Sequence, residues 1–426
     1  NQFILDRSVN YSRVEDACDD LAHGAYMCKI DLTAAYRSIP VTTKCYKFFG
    51  LSWQFKGEKH TTYMYDSKLP FGSARAPKVF QAISNAIARN FRKKQIRCIN
   101  YLDDFLIYAD SKEQCWRDYN LAFNTLKALG FELNHDKCTS PTQCLTFLGV
   151  QINSVTRILS LDPGKCSELV QLLHSWVKRT SATKKQLQQI IGKLQWGATI
   201  FRIARPFIRR LIDLCNTVEF QGQHLTLNEE TSLDFQWWIE KLLYLDTSTI
   251  FKCDIPPPTL YVQTDASNFS AGCIFQDDWV HVSFPIDMDW DPNLHINDRE
   301  AAALLFAARR WGYLWTNQSV IFETDNTSTM FSTNKGSSRA KVTQQVHREL
   351  VSLALEHRFY FHVIYIKGED NIWADSVSRF HQCEKLQWFI RNKCGPGNNL
   401  VCQDHMTLEA YVHLKNGHRQ CCGALL

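Results

Sequence analysis

The sequence predicts a mixed chain: an α+β unit over residues 1–154, a helical segment over 155–250 and an α/β unit over 251–380, with a tail at 381–426. Three observations predict it. Apolar runs of strand length end in aspartates, at Asp31 and at the Asp103-Asp104 pair. Residues 155–250 read as nearly all helical. The prolines Pro256, Pro257 and Pro258 then block helix and sheet alike, and a strand, strand, helix, strand, helix pattern follows them.

Composition bounds the class. At 426 residues, 45% hydrophobic and 21% charged, the chain has the make-up of two to three globular domains. No apolar run of about 18 residues occurs, so no membrane association is expected. No signal peptide precedes Asn1, and the expected location is intracellular, in cytoplasm or nucleus. The absence of an initiator Met reads as a fragment of a longer polyprotein. The 16 cysteines lack framework spacing and read as reduced thiols. Cys383, Cys394, Cys402, Cys421 and Cys422 lie near His381, His405 and His418, without zinc spacing. Net charge is only +5, but basic residues cluster. One tract is Arg89, Arg92, Lys93, Lys94 and Arg97. The other runs from Lys178 to Arg210 through Lys184, Lys185 and Lys193. Such tracts beside an acidic site read as phosphate contacts, or as solvated faces.

The elements follow in order. Tyr26 to Ile30 is a strand ending in Asp31. A helix is expected over 74–97, after the turn at Pro70-Phe71-Gly72. Ile99 to Tyr108 reads as a hairpin with Asp103 and Asp104 at its turn, an arrangement that suits a divalent cation. Alone, such a pair also reads as a solvated turn. A helix over 112–129 stops at Gly130, and Phe147 to Ile152 reads as one strand. Thr183-Lys184-Lys185-Gln186 fits a capping box, with Leu187, Ile190, Ile191 and Leu194 as core behind it. After the prolines, Asp265 and Asp325 end apolar strands, Glu300 sits on a helix with Leu304, Leu305 and Ala308, and Asp375 starts a short helix. Four such acids at one point would repel unless cations neutralise them; two ions about 4 Å apart would use all four.

The boxes around Asp31, Leu69 to Pro77, Tyr101-Leu102-Asp103-Asp104 and Phe147-Leu148-Gly149, in this order, resemble the palm of reverse transcriptases. The Asp265, Glu300, Asp325 and Asp375 boxes resemble ribonuclease H. The resemblance covers about residues 3–380 and implies a right-hand polymerase: palm and partial fingers over 1–154, helical thumb and connection over 155–250, and a ribonuclease H-like domain over 251–380. Within long-terminal-repeat-type retroelements the likeness is greatest to DIRS-like, tyrosine-recombinase retrotransposons, on Gly192-Lys193-Leu194-Gln195-Trp196, Arg205-Pro206-Phe207 and Arg309-Arg310-Trp311. Gypsy-like or pararetroviral origin is the alternative.

The resemblance implies RNA-directed DNA polymerase and ribonuclease H activities. It implies two Mg2+ or Mn2+ per site, held by Asp31, Asp103 and Asp104 in the first and by Asp265, Glu300, Asp325 and Asp375 in the second. Asp370 competes with Asp375 as fourth ligand. Implied partners are an RNA template, a DNA primer, an RNA–DNA hybrid and dNTPs. Tyr36 would lie beneath the incoming sugar, or simply pack in the core; Phe71 and Gly72 would line the nucleotide pocket. Tyr101 would touch the primer–template end, and Phe147, Leu148 and Gly149 resemble a primer grip. Two departures stand out. The loop Lys367 to Asp370 lacks the His many ribonucleases H carry there, and only Arg7 and Arg13 precede Asp31 as candidate fingertip cations. The competing reading is a catalytically incomplete remnant that only binds nucleic acid.

Overall fold

The computed structural model describes residues 11–244, 249–284 and 294–379. Arg7 and the cysteine- and histidine-bearing tail lie outside them. Two compact units divide these residues: 11–165 with 249–254, and 166–244 with 255–284 and 294–379.

The first unit is built on a four-stranded antiparallel sheet. Its strands are β1 (Tyr26–Asp31), then β4 (Arg97–Tyr101), β5 (Asp104–Ala109) and β6 (Thr139–Thr142), in the order β4-β5-β1-β6. Between β1 and β4 come a ribbon of β2 (Gly50–Trp53) and β3 (Thr62–Tyr65), and helix α1 (Ala76–Lys93). Helix α2 (Lys112–Ala128), N-capped by the Ser111 hydroxyl, follows β5. The apolar sides of α1 and α2, with Phe80, Ile87, Phe91, Ala122 and Leu126, cover the sheet residues Cys28, Ile30, Phe105 and Ile107. Helix α1 is shorter than the expected 74–97, because Gln95 turns with φ 63° and releases Arg97 to the sheet.

Two sequence expectations are corrected here. Phe147 to Ile152 is not one strand but a hairpin of β7 (Cys144–Phe147) and β8 (Val150–Asn153). Leu148 and Gly149 form its two-residue loop with φ of 52° and 80°, the left-handed pair that matches strand twist. The 155–250 segment does not open in helix: β9 (Ile158–Leu161) pairs with β8 and with the short strand Thr249–Ile250.

The second unit combines helices α3 (Pro163–Val177), α4 (Lys184–Ile200), α5 (Pro206–Cys215) and α6 (Glu229–Tyr244) with an α/β layer. The capping box at Thr183 and Gln186 forms as the residues dictate. The sheet is β10 (Leu260–Ala266), β11 (Ser270–Phe275), β12 (Asp278–Ser283), β13 (Ser319–Thr324) and β14 (Tyr360–Tyr365), in the order β12-β11-β10-β13-β14. β10, β13 and β14 run parallel and β11 and β12 meander antiparallel, so the sheet has two strands more than the sequence pattern predicts. Helix α7 (Ile296–Trp311) is buried all round from Asp298 to Ala308, not on one apolar face alone. Helices α8 (Thr327–Lys335), α9 (Lys341–Glu356) and α10 (Ile372–Ser378) complete the unit.

The helical segment is bonded into this α/β layer. Arg348 on α9 donates to Asp234 on α6 at 3.0 Å, and Gln344 donates to the Pro206 carbonyl at 2.9 Å. Both Arg348 and Asp234 are buried, so each charge depends on the other. Helix α10 lies directly on β11, because Gly272 leaves the room: a Cβ there would stand 2.3 Å from the Ser378 nitrogen and 2.5 Å from the Ala374 oxygen. Gly272→Ala should therefore destabilise the protein by about 1–3 kcal/mol and lift α10 from the sheet. Thermal denaturation, with near-ultraviolet circular dichroism reporting tertiary packing, checks this.

Candidate active sites

In the first unit, strand register brings the acids together. Asp31 ends β1 opposite Asp104, the first residue of β5. Tyr101 pairs with Asp104 across the β4–β5 hairpin, leaving Leu102 and Asp103 as its loop. Leu102 has φ 51°, a left-handed conformation that costs energy in a leucine. Surrounding groups impose it. The Leu102 N–H donates to Gln81 Oε1 on α1 at 2.8 Å, and the Leu32 N–H donates to the Asp103 carbonyl at 3.3 Å. Gln81 also donates to Asn85 at 2.8 Å, and Asn100 donates to both Ser84 and Asn85. Sequence reading missed this network; its trace is a set of polar residues on the core side of α1, where Gln81 and Ser84 are buried beside Phe80.

The electrostatics follow from crowding. Burial, with Asp31 and Asp103 as neighbours, pushes the Asp104 carboxyl up to about 6, against the opposing pull of Lys29. Asp103 is also raised, by burial and then by Asp31. Lys29 Nζ stands 3.4 Å from Asp104 Oδ1 and 3.9 Å from Asp31 Oδ2. An ammonium ion thus already sits among the acids, so the donor set suits a cation.

Around this trio, Tyr36 is part-buried, with ring centroids 5.2 Å from Phe71 and 5.1 Å from Phe80. Burial and then the Asp103 charge raise its phenol pKa. Phe71 is exposed, and Gly72 turns the chain after it with φ 82°. Tyr101 packs on Tyr11 at 4.7 Å. Phe147 is fully buried, so its side chain is core; Leu148 and Gly149 hold the hairpin loop.

In the second unit, Asp265 near the end of β10, Glu300 on α7 and Asp325 just after β13 converge. One oxygen from each lies within 4.8 Å of the others; among the described residues no other set of three acids, histidines or cysteines does so. Burial, then Asp265 and Asp325, raises Glu300 to about 9. Burial chiefly, then Asp375 and Asp325, raises Asp265 to about 6. Glu300 Oε2 is buried with no hydrogen-bond partner. An orphaned carboxylate oxygen between two further carboxylates is what a cation would satisfy, so the residues fit a divalent ion. Ser378 fixes Asp265: its hydroxyl donates to Asp265 Oδ2 at 2.5 Å, and the Ser267 hydroxyl donates to the Ser378 carbonyl at 3.1 Å.

Asp375 is close but not in the cluster. Its carboxylate accepts from Arg379 Nε at 2.7 Å. Asp370 is not in it either; its backbone closes the turn onto Lys367 at 2.8 Å. Gly368 of that loop approaches Asp325, where a Cβ would lie 3.2 Å from Oδ2.

The basic tract divides differently from its sequence reading. Lys184 Nζ donates to the Val218 carbonyl at 2.6 Å, Arg209 pairs with Asp213, and Arg210 meets Glu230 at 3.2 Å and Asp234 at 3.4 Å. These three are spent inside the fold, whereas Lys185 and Lys193 are exposed on α4. Among the described residues no helix is long and apolar enough to cross a membrane.

Residues 1–152 match the family model for reverse transcriptase (RNA-dependent DNA polymerase). The chain is similar to the retrovirus-related Pol polyprotein from transposon 297 of Drosophila melanogaster, 24% identical over 89% of this chain and 33% of that protein. It is also similar to the enzymatic polyprotein of Cauliflower mosaic virus (strain D/H), 24% identical over 73% of this chain and 45% of that protein. The chain thus spans less than half the length of these curated relatives. Among solved structures it is similar to a foamy viral protease-reverse transcriptase in complex with double-stranded DNA, at 17% identity and a TM-score of 0.47, covering 85% of this chain and 61% of that one. Residues 1–152 of this chain are thus similar to the reverse transcriptase family, and further mixed α/β structure follows them.

Proposed function

We propose that this chain is an RNA-directed DNA polymerase with a second, ribonuclease H-type site, serving retroelement replication. The observation that carries the reading is the pairing of Asp31 with Asp104 beside the Asp103 turn, inside the residues that match the reverse transcriptase family. Asp31, Asp103 and Asp104 would hold two Mg2+ or Mn2+ ions. Asp265, Glu300, Asp325 and Asp375 would hold two more, with Asp375 leaving Arg379 to join. Bound ions would supply activation of the attacking oxygen, the primer 3′-hydroxyl or a water, and stabilisation of the leaving oxygen.

The chain's own residues do the positioning. Gln81 and Leu32 fix the turn that presents Asp103. Tyr36, backed by Phe80, would meet the sugar of an incoming dNTP and disfavour a 2′-hydroxyl by bulk. Phe71 and Gly72 would border the nucleotide, and Tyr101 the primer–template end. Leu148 and Gly149 would approach the primer through their loop backbone, with Phe147 anchoring it from the core. Lys185 and Lys193 would meet the phosphates of an RNA template paired with a DNA primer, or of an RNA–DNA hybrid. The DIRS-like subgroup rests on the Gly192 to Trp196 and Arg309-Arg310-Trp311 boxes; a tyrosine recombinase gene beside this one would support it, and an aspartic protease gene there would count against it.

Primer extension tests the first site. Asp103→Asn should abolish DNA synthesis on an RNA template while template–primer affinity stays within about threefold, since affinity rests on phosphate contacts. Retained synthesis would overturn the assignment, and a wild-type chain that binds but never extends would favour the incomplete remnant.

For the α4 face, log affinity should fall linearly with log salt. Changing Lys185 and Lys193 together to Ala should reduce the slope by roughly 1–2, whereas Lys184→Ala should instead lower stability through its lost carbonyl contact. An unchanged slope would mean that the two exposed lysines are merely solvated.

In the second site, Glu300 is held protonated up to about 9 without a cation. Mn2+ binding at pH 7.5 should therefore release about one proton, seen as a dependence of calorimetric heat on buffer ionisation enthalpy. Glu300→Gln should remove that proton release and stop hybrid cleavage, while primer extension continues. Equal loss of both activities, with the fold intact, would refute the division into two sites.

A further inference from the structure

Lys29 has no part in the roles above, yet its ammonium lies beside two acids of the first site. It stands two residues before Asp31 on β1, so the two side chains share one face of the sheet. Its ammonium reaches across to the neighbouring strand, 3.4 Å from the buried Oδ1 of Asp104, and also lies 3.9 Å from Asp31 Oδ2. All three side chains are at least about four-fifths buried, at 18%, 10% and 21% exposure for Lys29, Asp31 and Asp104, so solvent screens the contact weakly.

We propose that Lys29 is the resident counter-cation of the Asp31, Asp103 and Asp104 site, and that it sets the site's affinity for divalent cations by competing with them. The inference rests on the reading of the trio as a metal site. Placement of the acids does not need Lys29. The β1–β5 register sets Asp31 against Asp104, and the Gln81 and Leu32 bonds fix the Asp103 turn. What Lys29 adds is a positive charge on a flexible stem beside Asp31 and Asp104, with Asp103 at the adjoining turn. An incoming divalent ion meets that charge on the same face and displaces it. The metal-free site is thereby kept compact, and metal affinity is kept below what three bare carboxylates would give. Arg379 stands in a comparable relation to Asp375 in the second unit, but there the pair is half-exposed and outside the acid cluster.

The test uses the full chain with Asp265→Asn and Glu300→Gln to silence the second cluster. Mn2+ affinity is measured at pH 8 by calorimetry and by electron paramagnetic resonance of free Mn2+. Lys29→Met, which keeps the stem and removes the charge, should bind Mn2+ at least about tenfold more tightly. Lys29→Arg, which keeps the charge, should stay within about threefold of the parent. Lys29→Gln replaces the Met variant if circular dichroism shows that one to be misfolded. Unchanged or weaker Mn2+ binding by the neutral variant overturns the role of Lys29, and so does an Arg variant that behaves like the neutral one. If the parent binds no Mn2+, or if Asp103→Asn in the same background leaves binding intact, the metal-site reading falls and this inference with it.

Discussion

Carboxylates held close together in a partly buried place repel, and each must be neutralised by a proton, a protein cation or a metal ion. Both units of this protein are arranged around that constraint. In the first, the antiparallel register puts Asp31 against Asp104, with Asp103 at the next turn, and Lys29 supplies a positive charge. In the second, Asp265, Glu300 and Asp325 meet, and burial beside the other two acids holds the Glu300 proton up to about 9. Crowding thus raises carboxyl pKa values in both units, at Asp104 in the first and at Glu300 in the second, and the first adds an internal ammonium.

The backbone bears the cost of bringing the acids together. Leu102 is left-handed although it is not glycine, and a conformation of that kind persists only where its surroundings over-determine it. Gln81 takes up its amide, and the Asp103 carbonyl is taken up by Leu32. The second unit uses close approach instead. Gly272 lets the backbone of α10 rest on β11, and Ser378 then reaches the Asp265 carboxylate. Position is set by hydrogen bonds and packing that would persist without any ion, so the acids are preorganised rather than gathered by what they bind.

Charge placement also explains the composition of the second unit. The helices before the prolines and the α/β layer after them share the buried Arg348–Asp234 pair, with Arg210 3.4 Å from the same aspartate. Breaking a buried pair leaves an uncompensated charge, which is costly, so this contact resists separation of the two parts. Other contacts within the unit also consume basic residues. Arg209, Arg210 and Lys184 belong to internal contacts, and the positive surface left on α4 is the smaller set of Lys185 and Lys193.

The sequence by itself determined where the strands end and which acids stand at those ends. Asp31, the Asp103-Asp104 pair, Asp265 and Asp325 each follow an apolar run whose length and composition are local properties of the chain, and Glu300 lies on a helix legible in the same way. Only the tertiary structure decided what those acids meet. That Asp104 lies opposite Asp31, that Gln81 reaches Leu102, that Lys184 is spent on the Val218 carbonyl and that Asp375 turns to Arg379 rather than into the cluster are matters of register and packing. The first three join residues far apart in sequence, and the last depends on how α10 seats on β11. Local periodicity carries no information about such partners, because the free energy that selects them belongs to the assembled core rather than to any one segment.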